Sequence, residues 1–278
     1  MKKLLIASGC SFTEKEYSSF YYPDMDCSWP KWPELLAEKL DMDCINLGSS
    51  GAGNEYIYNS ILEQVIKTKK NKIGLVAAGW SVIKRFDYLL NEDHYNSYQT
   101  YISSSDVSIL EFPKRNFSLS KLHPKIEWQE LEKYWQGGDG DTHEKSHLQH
   151  VVNRSISFFF NLQTLCENYN IPLKHFSMLD FFRGLGLHSA PTEKDKKLEF
   201  TKTVLNSPYL NVINDDFIGW PVKKELGGFN VWNKVNKNAG HRYRNGYWPT
   251  CISEKDLHPN AVGQELITEF LYKNITGK

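Results

Sequence analysis

The sequence predicts an α/β fold built on a central parallel sheet of about five strands. Two observations support this prediction. Short apolar segments and amphipathic segments alternate over the first 80 or so residues, in the order strand, helix, strand, helix, strand, which is typical of parallel strands joined by right-handed crossovers. The length of 278 residues, with 40% hydrophobic and 24% charged residues, fits one globular domain spanning 1–278 with insertions.

The first element is an apolar run at residues 3–8 that ends in a turn of small residues, which indicates a buried strand. Pro33 then suits the first turn of an amphipathic helix. The elements expected from there are a helix at 32–40, a strand at 44–48, a helix at 55–69 and a strand at 73–78. The first half of the chain therefore supplies three strands of the sheet.

The second half of the chain is less regular. Residues 82–150 are polar and aromatic, which indicates an insertion over the sheet, either a lid or a small subdomain. The elements expected beyond it are a helix at 153–170, a strand at 173–179, a strand at 210–213, a loop-like region at 219–247 and a last helix opened by Pro259. The fold class expected is thus a parallel sheet plus an inserted irregular or helical region.

Composition excludes several classes of partner. Lys+Arg and Asp+Glu both number 33, so no net field favours nucleic acid or an anionic membrane. The apolar stretch after Lys2 and Lys3 is shorter than the apolar region of a signal peptide, which has roughly 7–15 residues. The five cysteines are scattered without CxxC spacing, which argues against a disulfide framework or structural zinc. We therefore expect a cytoplasmic or virion-associated protein without a transmembrane segment, and leave its oligomeric state open.

Four segments contain small, hydrogen-bonding residues where a site would form. Three follow predicted strands, at 9–13, 46–51 and 79–81, and the fourth precedes the last helix, at 256–260. In open α/β sheets, sites lie at the carboxyl ends of the strands. In this order and spacing, the four segments resemble the four sequence blocks of the SGNH/GDSL hydrolases, and the match covers the first eighty residues and the last twenty-five.

The resemblance implies a flavodoxin-like three-layer sandwich and an esterase that needs no cofactor. Ser11 falls at the position of the nucleophile, and His258 at that of its base. Gly51 falls where the family has a glycine whose backbone N–H binds the oxyanion. A serine hydroxyl needs an adjacent base at neutral pH, and histidine titrates in the right range to serve as one.

The third oxyanion donor departs from the family pattern. The family's third block is usually Gly-x-Asn-Asp, and its Asn side chain donates to the oxyanion, whereas Ser81 occupies the Asn position here. A serine hydroxyl can donate, but it reaches less far than an amide. Asn54, at the start of the second predicted helix, is a candidate substitute donor, and the alternative is that Ser81 and Asn54 only tie loops together.

The acid partner of the histidine departs as well. The family has Asp three residues before the His, and that position is Lys255 here. Asp256 and Glu254 are the neighbouring acids. Three alternatives follow: either acid orients His258, or a backbone carbonyl does so and leaves a Ser-His dyad.

Other residues are candidates for substrate or metal binding. Trp80 and Arg85 follow the third strand and are the candidate substrate contacts, although pairing with Asp87 or another carboxylate is the favoured alternative for Arg85. A basic and aromatic segment at 241–248 could bind an anionic or sugar substrate or nucleic acid, although a solvated loop that packs its aromatic residues is the default interpretation. His143, His147 and His150 would share one face of a helix and could bind zinc, but the segment is polar, and we expect no metal site.

Two functions are consistent with this pattern. The first is a serine esterase that hydrolyses small acyl groups such as acetyl, with carbohydrate as one candidate for the alcohol. The second is a catalytically degenerate SGNH fold that serves as a glycan-binding or structural module, for instance in a phage particle. The drifted Asn and acid motivate the second function, and the Ser11 and His258 blocks favour the first.

Overall fold

The computed structural model of the protein describes residues 2–91, 94–99, 140–185, 190, 192–243 and 247–277. Its strands are β1 (Leu4–Gly9), β2 (Asp43–Asn46), β3 (Ile73–Trp80), β4 (Arg85–Asn91), β5 (His94–Gln99), β6 (Leu173–Ser177) and β7 (Phe217–Ile218). Five of them form one sheet in the order β2-β1-β3-β6-β7, with every pairing parallel. This is the strand order of flavodoxin-like folds, so the predicted fold class is confirmed.

The helices flank this sheet in two groups. They are α1 (Trp32–Lys39), α2 (Asn54–Lys67), α3 (Gly140–Asn168), α4 (Glu193–Leu205), α5 (Val231–Asn238) and α6 (Ala261–Thr276). Helix α6 packs against α1 and α5, whereas α3 packs against α2 and α4. None of the helices in the described residues combines the length and apolar character needed to cross a bilayer.

The centre of the sheet is the core of the molecule. Every residue of β3 is buried, as are five of the six residues of β1. Helix α1 buries one face against it: Trp32 is fully buried, with its ring centroid 5.5 Å from that of Phe176 in β6. Gly9 and Gly79 are register partners in β1 and β3, so the loops that follow these strands leave the sheet side by side.

Two predictions for the second half are wrong. The fifth strand is β7, and residues 210–213 form turns instead. The region 219–247 is not all loop, since it contains α5. Its cap is Asn230, whose side chain accepts a hydrogen bond from the Asn233 N–H, and Trp232 and Val235 are buried on one face. Its many Asn and Lys residues weaken the amphipathic pattern, which is why the sequence did not predict this short helix.

The predicted insertion is more regular at both ends than its composition suggested. Strands β4 and β5 form a separate antiparallel pair directly after β3, and α3 begins at Gly140, thirteen residues before the predicted start at 153. Residues 100–139 lie outside the described part of the chain. A lid or subdomain at 82–150 therefore stays a prediction.

Candidate active site

Ser11 lies in a tight turn directly after the central strand β1. The turn is closed by the Thr13 N–H, which donates to the Cys10 carbonyl at 2.7 Å. It packs closely on the strand, because a Cβ atom at Gly9 would lie 2.2 Å from Thr13 Oγ1. Ser11 itself is 8% exposed, so the turn holds its hydroxyl at the edge of the sheet with narrow access to solvent.

His258 approaches Ser11 from the loop before α6. Its Nε2 lies 2.7 Å from Ser11 Oγ. The imidazole lies beside the rings of Phe12 and Tyr17, whose centroids are 5.1 Å and 4.4 Å away. The loop ends at Asn260, whose side chain caps α6 by accepting from the Gly263 N–H. The two residues that the sequence singled out are thus in direct hydrogen-bond contact.

The loop that contains Ser11 is also joined to α6 by one buried amide. Gln264 donates through Nε2 to the Phe12 carbonyl at 3.1 Å, and its Oε1 accepts from the Trp32 N–H at 2.9 Å. Gln264 is 1% exposed. The amide therefore fixes the turn of the serine relative to the helix that follows the histidine.

Asp256 is the acid that contacts His258. Its Oδ1 lies 2.6 Å from His258 Nδ1 and also accepts from the His258 backbone N–H at 3.1 Å. Glu254 and Lys255 are exposed. Because an ionised carboxylate can only accept hydrogen bonds, Nδ1 holds the imidazole proton and Nε2 is left to accept from the Ser11 hydroxyl. Of the three alternatives for orienting the histidine, the geometry favours Asp256.

Two residues that the sequence analysis missed complete the surroundings of Asp256. Tyr17 Oη lies 2.9 Å and 3.1 Å from the carboxylate oxygens and 2.7 Å from His258 Nδ1. Ser19 Oγ donates to Asp256 Oδ2 at 2.5 Å. Both belong to the loop between β1 and α1, where neither a motif nor a periodicity marks them. The carboxylate, 1% exposed, is therefore enclosed by donors.

These contacts fix the charge state of the cluster. Burial on its own raises the pKa of Asp256, but the hydrogen bonds from His258 and Ser19 outweigh burial, and the pKa lies below its usual range. Burial, and then the hydrogen bond to Asp256, raise the pKa of Tyr17 above its usual value. At neutral pH the carboxylate is therefore ionised, and the phenol keeps its proton and donates.

Gly51 lies in the loop between β2 and α2. Its φ of +81° is in the left-handed region that favours glycine, and no atom lies within 4 Å of where a Cβ would be. Within the described part of the chain, the N–H groups of Gly51 and Ser11 donate to no protein acceptor. Two backbone donors are thus available for a ligand.

Asn54 and Ser81 are both buried but differ in what they offer. The Asn54 side chain accepts from the Ser81 N–H at 2.8 Å, which leaves its Nδ2 buried with no partner among the described residues. The Ser81 hydroxyl accepts from Arg85 Nη1 at 2.8 Å, and Ser81 is 0% exposed. Accepting from Arg85 does not use the hydrogen of the Ser81 hydroxyl, so both side chains keep a donor, and the longer reach of the amide favours Asn54 as the third donor.

The predicted substrate contacts of Trp80 and Arg85 are not supported. Trp80 is 0% exposed, packs on Phe159 with ring centroids 4.5 Å apart and donates to His175 at 3.2 Å. Its role as a substrate contact is therefore wrong, because the side chain points into the core. Arg85 Nη1 donates to the Ala52 carbonyl at 2.9 Å as well as to Ser81, so this guanidinium ties together the two loops that flank Asn54.

The aromatic residues of the segment at 241–248 line a pocket of about 410 Å³. Tyr243 and Trp248 meet edge to face with centroids 5.1 Å apart. The other lining residues include Trp232, Tyr247, Asn233 and Leu257. The pocket adjoins the site, since Trp232 packs on Phe12 and Leu257 precedes His258. Arg244 lies outside the described residues.

The described residues contain no cluster of three His, Cys, Asp or Glu side chains placed to bind a metal ion. Of the three histidines considered, His147 and His150 lie in α3, and the side chain of His143 lies outside the described residues. All five cysteines are free thiols. Cys10, next to Ser11 in sequence, is 0% exposed, so its thiol packs beneath the turn.

Comparison with known proteins gave matches among solved structures alone. No protein-family model matches the sequence, and no curated protein matches it. A psychrotrophic esterase from Pseudoalteromonas sp. matches at 10% identity and a TM-score of 0.42, over 99% of this chain and 97% of that one. An acetyl xylan esterase variant from Geobacillus stearothermophilus matches at 9% identity and a TM-score of 0.40, over 99% and 94%.

A member of the lipolytic protein G-D-S-L family from Veillonella parvula matches at 11% identity and a TM-score of 0.37, over 99% of this chain and 97% of that one. The chain is similar to esterases and lipolytic proteins of the G-D-S-L type. Since the identities and TM-scores are low, we base the function on the contacts of Ser11, His258 and Asp256.

Proposed function

We propose that the protein is a serine esterase in which Ser11 is the nucleophile, His258 the general base and Asp256 its acid partner. The observation that supports this most is the continuous hydrogen-bond chain from Ser11 Oγ to His258 Nε2 and from Nδ1 to Asp256, with contacts of 2.7 Å and 2.6 Å. This is the geometry by which a neutral histidine activates a serine hydroxyl.

The reaction follows from this chain of contacts. Ser11 Oγ attacks the ester carbonyl carbon while its proton passes to His258 Nε2. The tetrahedral intermediate then loses the alcohol, to which His258 returns the proton, and an acyl-serine remains. Water attacks the acyl-serine with the same assistance, which releases the carboxylic acid and restores Ser11. Asp256 stabilises the imidazolium that forms in both halves of the reaction.

The oxyanion of each intermediate needs donors that are already in place. The N–H groups of Ser11 and Gly51 are available, and in this proposal the Asn54 amide, whose Nδ2 has no partner among the described residues, is the third donor. The Ser81 N–H holds the Asn54 oxygen, so the amide presents its NH₂ group in one orientation. Each such donor lowers the barrier by about 3 kcal/mol.

Substitution of Asn54 by alanine is expected to lower kcat for acetyl esters by about 10²–10³-fold with a small change in KM, because the donor acts on the intermediate. Ser81→Ala is the matched comparison, since it removes a hydroxyl that is bound to Arg85 and leaves the amide in place. We expect it to stay within about 10-fold of wild type. Steady-state kinetics of both variants decide the donor, and a larger loss in Ser81→Ala than in Asn54→Ala would assign the role to Ser81.

The proposed substrates are esters of small acyl groups such as acetyl, with a carbohydrate as the alcohol. The limited exposure of Ser11, at 8%, favours a compact acyl group. The adjoining pocket combines the rings of Tyr243, Tyr247 and Trp248 with the amides of Asn230 and Asn233, and rings together with hydrogen-bonding side chains suit a sugar. A non-catalytic glycan-binding role would not explain the Ser11–His258–Asp256 contacts.

The proposal predicts covalent labelling of one residue. A fluorophosphonate probe is expected to modify Ser11, and peptide mapping by mass spectrometry identifies the modified position. The same protein is expected to hydrolyse p-nitrophenyl acetate, and acetylated sugars tested at equal concentration would reveal whether a sugar alcohol is preferred. A protein that is folded, unlabelled and inactive on all of these esters contradicts the proposal.

A further inference from the structure

We propose that Tyr17 is a positioning residue that holds the His258–Asp256 pair in its working geometry, an inference that rests on the proposed esterase function. Among the described side chains, Tyr17 is the one whose hydroxyl lies within hydrogen-bond distance of both members of the pair, 2.7 Å from His258 Nδ1 and 2.9 Å from Asp256 Oδ2. Tyr17 is 9% exposed, so its hydroxyl lies in the interior of the site and not at its solvent-exposed entrance.

The Tyr17 hydroxyl can donate its hydrogen to Asp256 and not to His258. An ionised carboxylate accepts only, and His258 Nδ1 donates its own proton to Asp256. The phenol therefore donates to Asp256, and a lone pair of its oxygen faces the Nδ1–H group at 2.7 Å. The imidazole proton is thus shared between the carboxylate and the phenol oxygen, which restricts rotation of the ring about its Cβ–Cγ bond.

The ring of Tyr17 adds a second restraint. Its centroid lies 4.4 Å from that of His258 at an interplanar angle of 37°, while Phe12 packs against the histidine at 5.1 Å. Both aromatic residues belong to the chain segment that contains Ser11. The nucleophile's own segment therefore helps to orient the base, alongside Asp256 in the histidine's own loop.

Tyr17 both donates to Asp256 and contacts His258, and a comparison with Ser19 separates these two effects. Ser19 Oγ donates to Asp256 Oδ2 at 2.5 Å and has no contact with His258 among the described residues. Ser19→Ala therefore removes a donor to the carboxylate and leaves the hydrogen bonds of His258 in place. Loss of the Tyr17 hydroxyl alone also frees the imidazole.

The test compares Tyr17→Phe with Ser19→Ala and with the control Tyr58→Phe, whose ring packs on Phe158, away from the site. For Tyr17→Phe we expect kcat/KM at its pH-independent maximum to fall by about 10–100-fold. Ser19→Ala should stay within about 5-fold of the wild-type maximum, because it leaves the contact between Tyr17 and His258 in place. Thermal unfolding of each variant verifies that it is folded.

A second readout does not depend on catalysis. In protein labelled with ¹⁵N-histidine, the Nδ1 proton of His258 should give a low-field resonance whose position and exchange rate change in Tyr17→Phe and not in Tyr58→Phe. If the protein proves inactive on esters, this spectroscopic arm still tests the inference. A Tyr17→Phe variant with an unchanged Nδ1 resonance, or one that is folded and reaches the wild-type maximal rate, overturns the role of Tyr17.

Discussion

Replacement of Ser11 by alanine is expected to lower kcat/KM for p-nitrophenyl acetate by at least about 10⁴-fold, because the acyl-enzyme route is lost and binding and oxyanion stabilisation alone remain. The fold should survive. The substitution removes one hydroxyl from a turn that is held by the Thr13 N–H and by close packing on Gly9, so the thermal unfolding midpoint should stay close to that of wild type.

Cys10→Ala is the matched control for this substitution. It changes the neighbouring side chain, which is 0% exposed beneath the turn, and should keep activity near that of wild type. Fluorophosphonate labelling should disappear in Ser11→Ala and persist in Cys10→Ala. Equal rates for Ser11→Ala and wild type would end the esterase mechanism stated here, and loss of labelling in Cys10→Ala alone would move the nucleophile to the thiol.

The second large effect is expected for Asp256→Asn, with a loss of about 10³–10⁴-fold in kcat. An asparagine presents an NH₂ group as well as an oxygen to His258, and Tyr17 and Ser19 already donate to the same side chain. The amide oxygen will accept from these donors, and its NH₂ group then faces Nδ1. That arrangement favours the tautomer with the proton on Nε2, which cannot accept from Ser11.

Glu254→Gln is the control for the acid. Glu254 is exposed and only two residues away in sequence, and its substitution should leave kcat within about 2-fold of wild type. Kinetics across pH, with circular dichroism to verify folding, measure both variants. A folded Asp256→Asn variant within 10-fold of wild type, together with an impaired Glu254→Gln, would assign the acid to Glu254.

The fold was predictable where the chain gives periodic signals. The apolar run of β1 and the buried stripe of α2, at Ile57, Ile61 and Val65, mark their elements clearly. Strand β7 has two residues, too few for any periodicity. The signal for α5 was present but weak, as Val231, Trp232 and Val235 are the apolar positions of a helix that is otherwise polar.

The candidate site was predictable to the extent that strand ends and helix starts specify position. Ser11 and His258 have such places, directly after β1 and shortly before α6. The acid partner has no such place, because the choice between Asp256 and Glu254 depends on how the loop turns. In the structure, the hydrogen bond from the His258 N–H to Asp256 Oδ1 closes that turn. Tyr17 reaches the site through a loop whose path no local pattern specifies.

The amide of Gln264 has a consequence for how the site comes into being. Ser11 and His258 are 247 positions apart, and Gln264 bonds both the Phe12 carbonyl and the Trp32 N–H. During synthesis the nucleophile segment therefore emerges long before its base. A chain with β1 and β3 paired but α6 undocked contains a serine without a proton acceptor, so esterase activity would report completed folding of the two ends together.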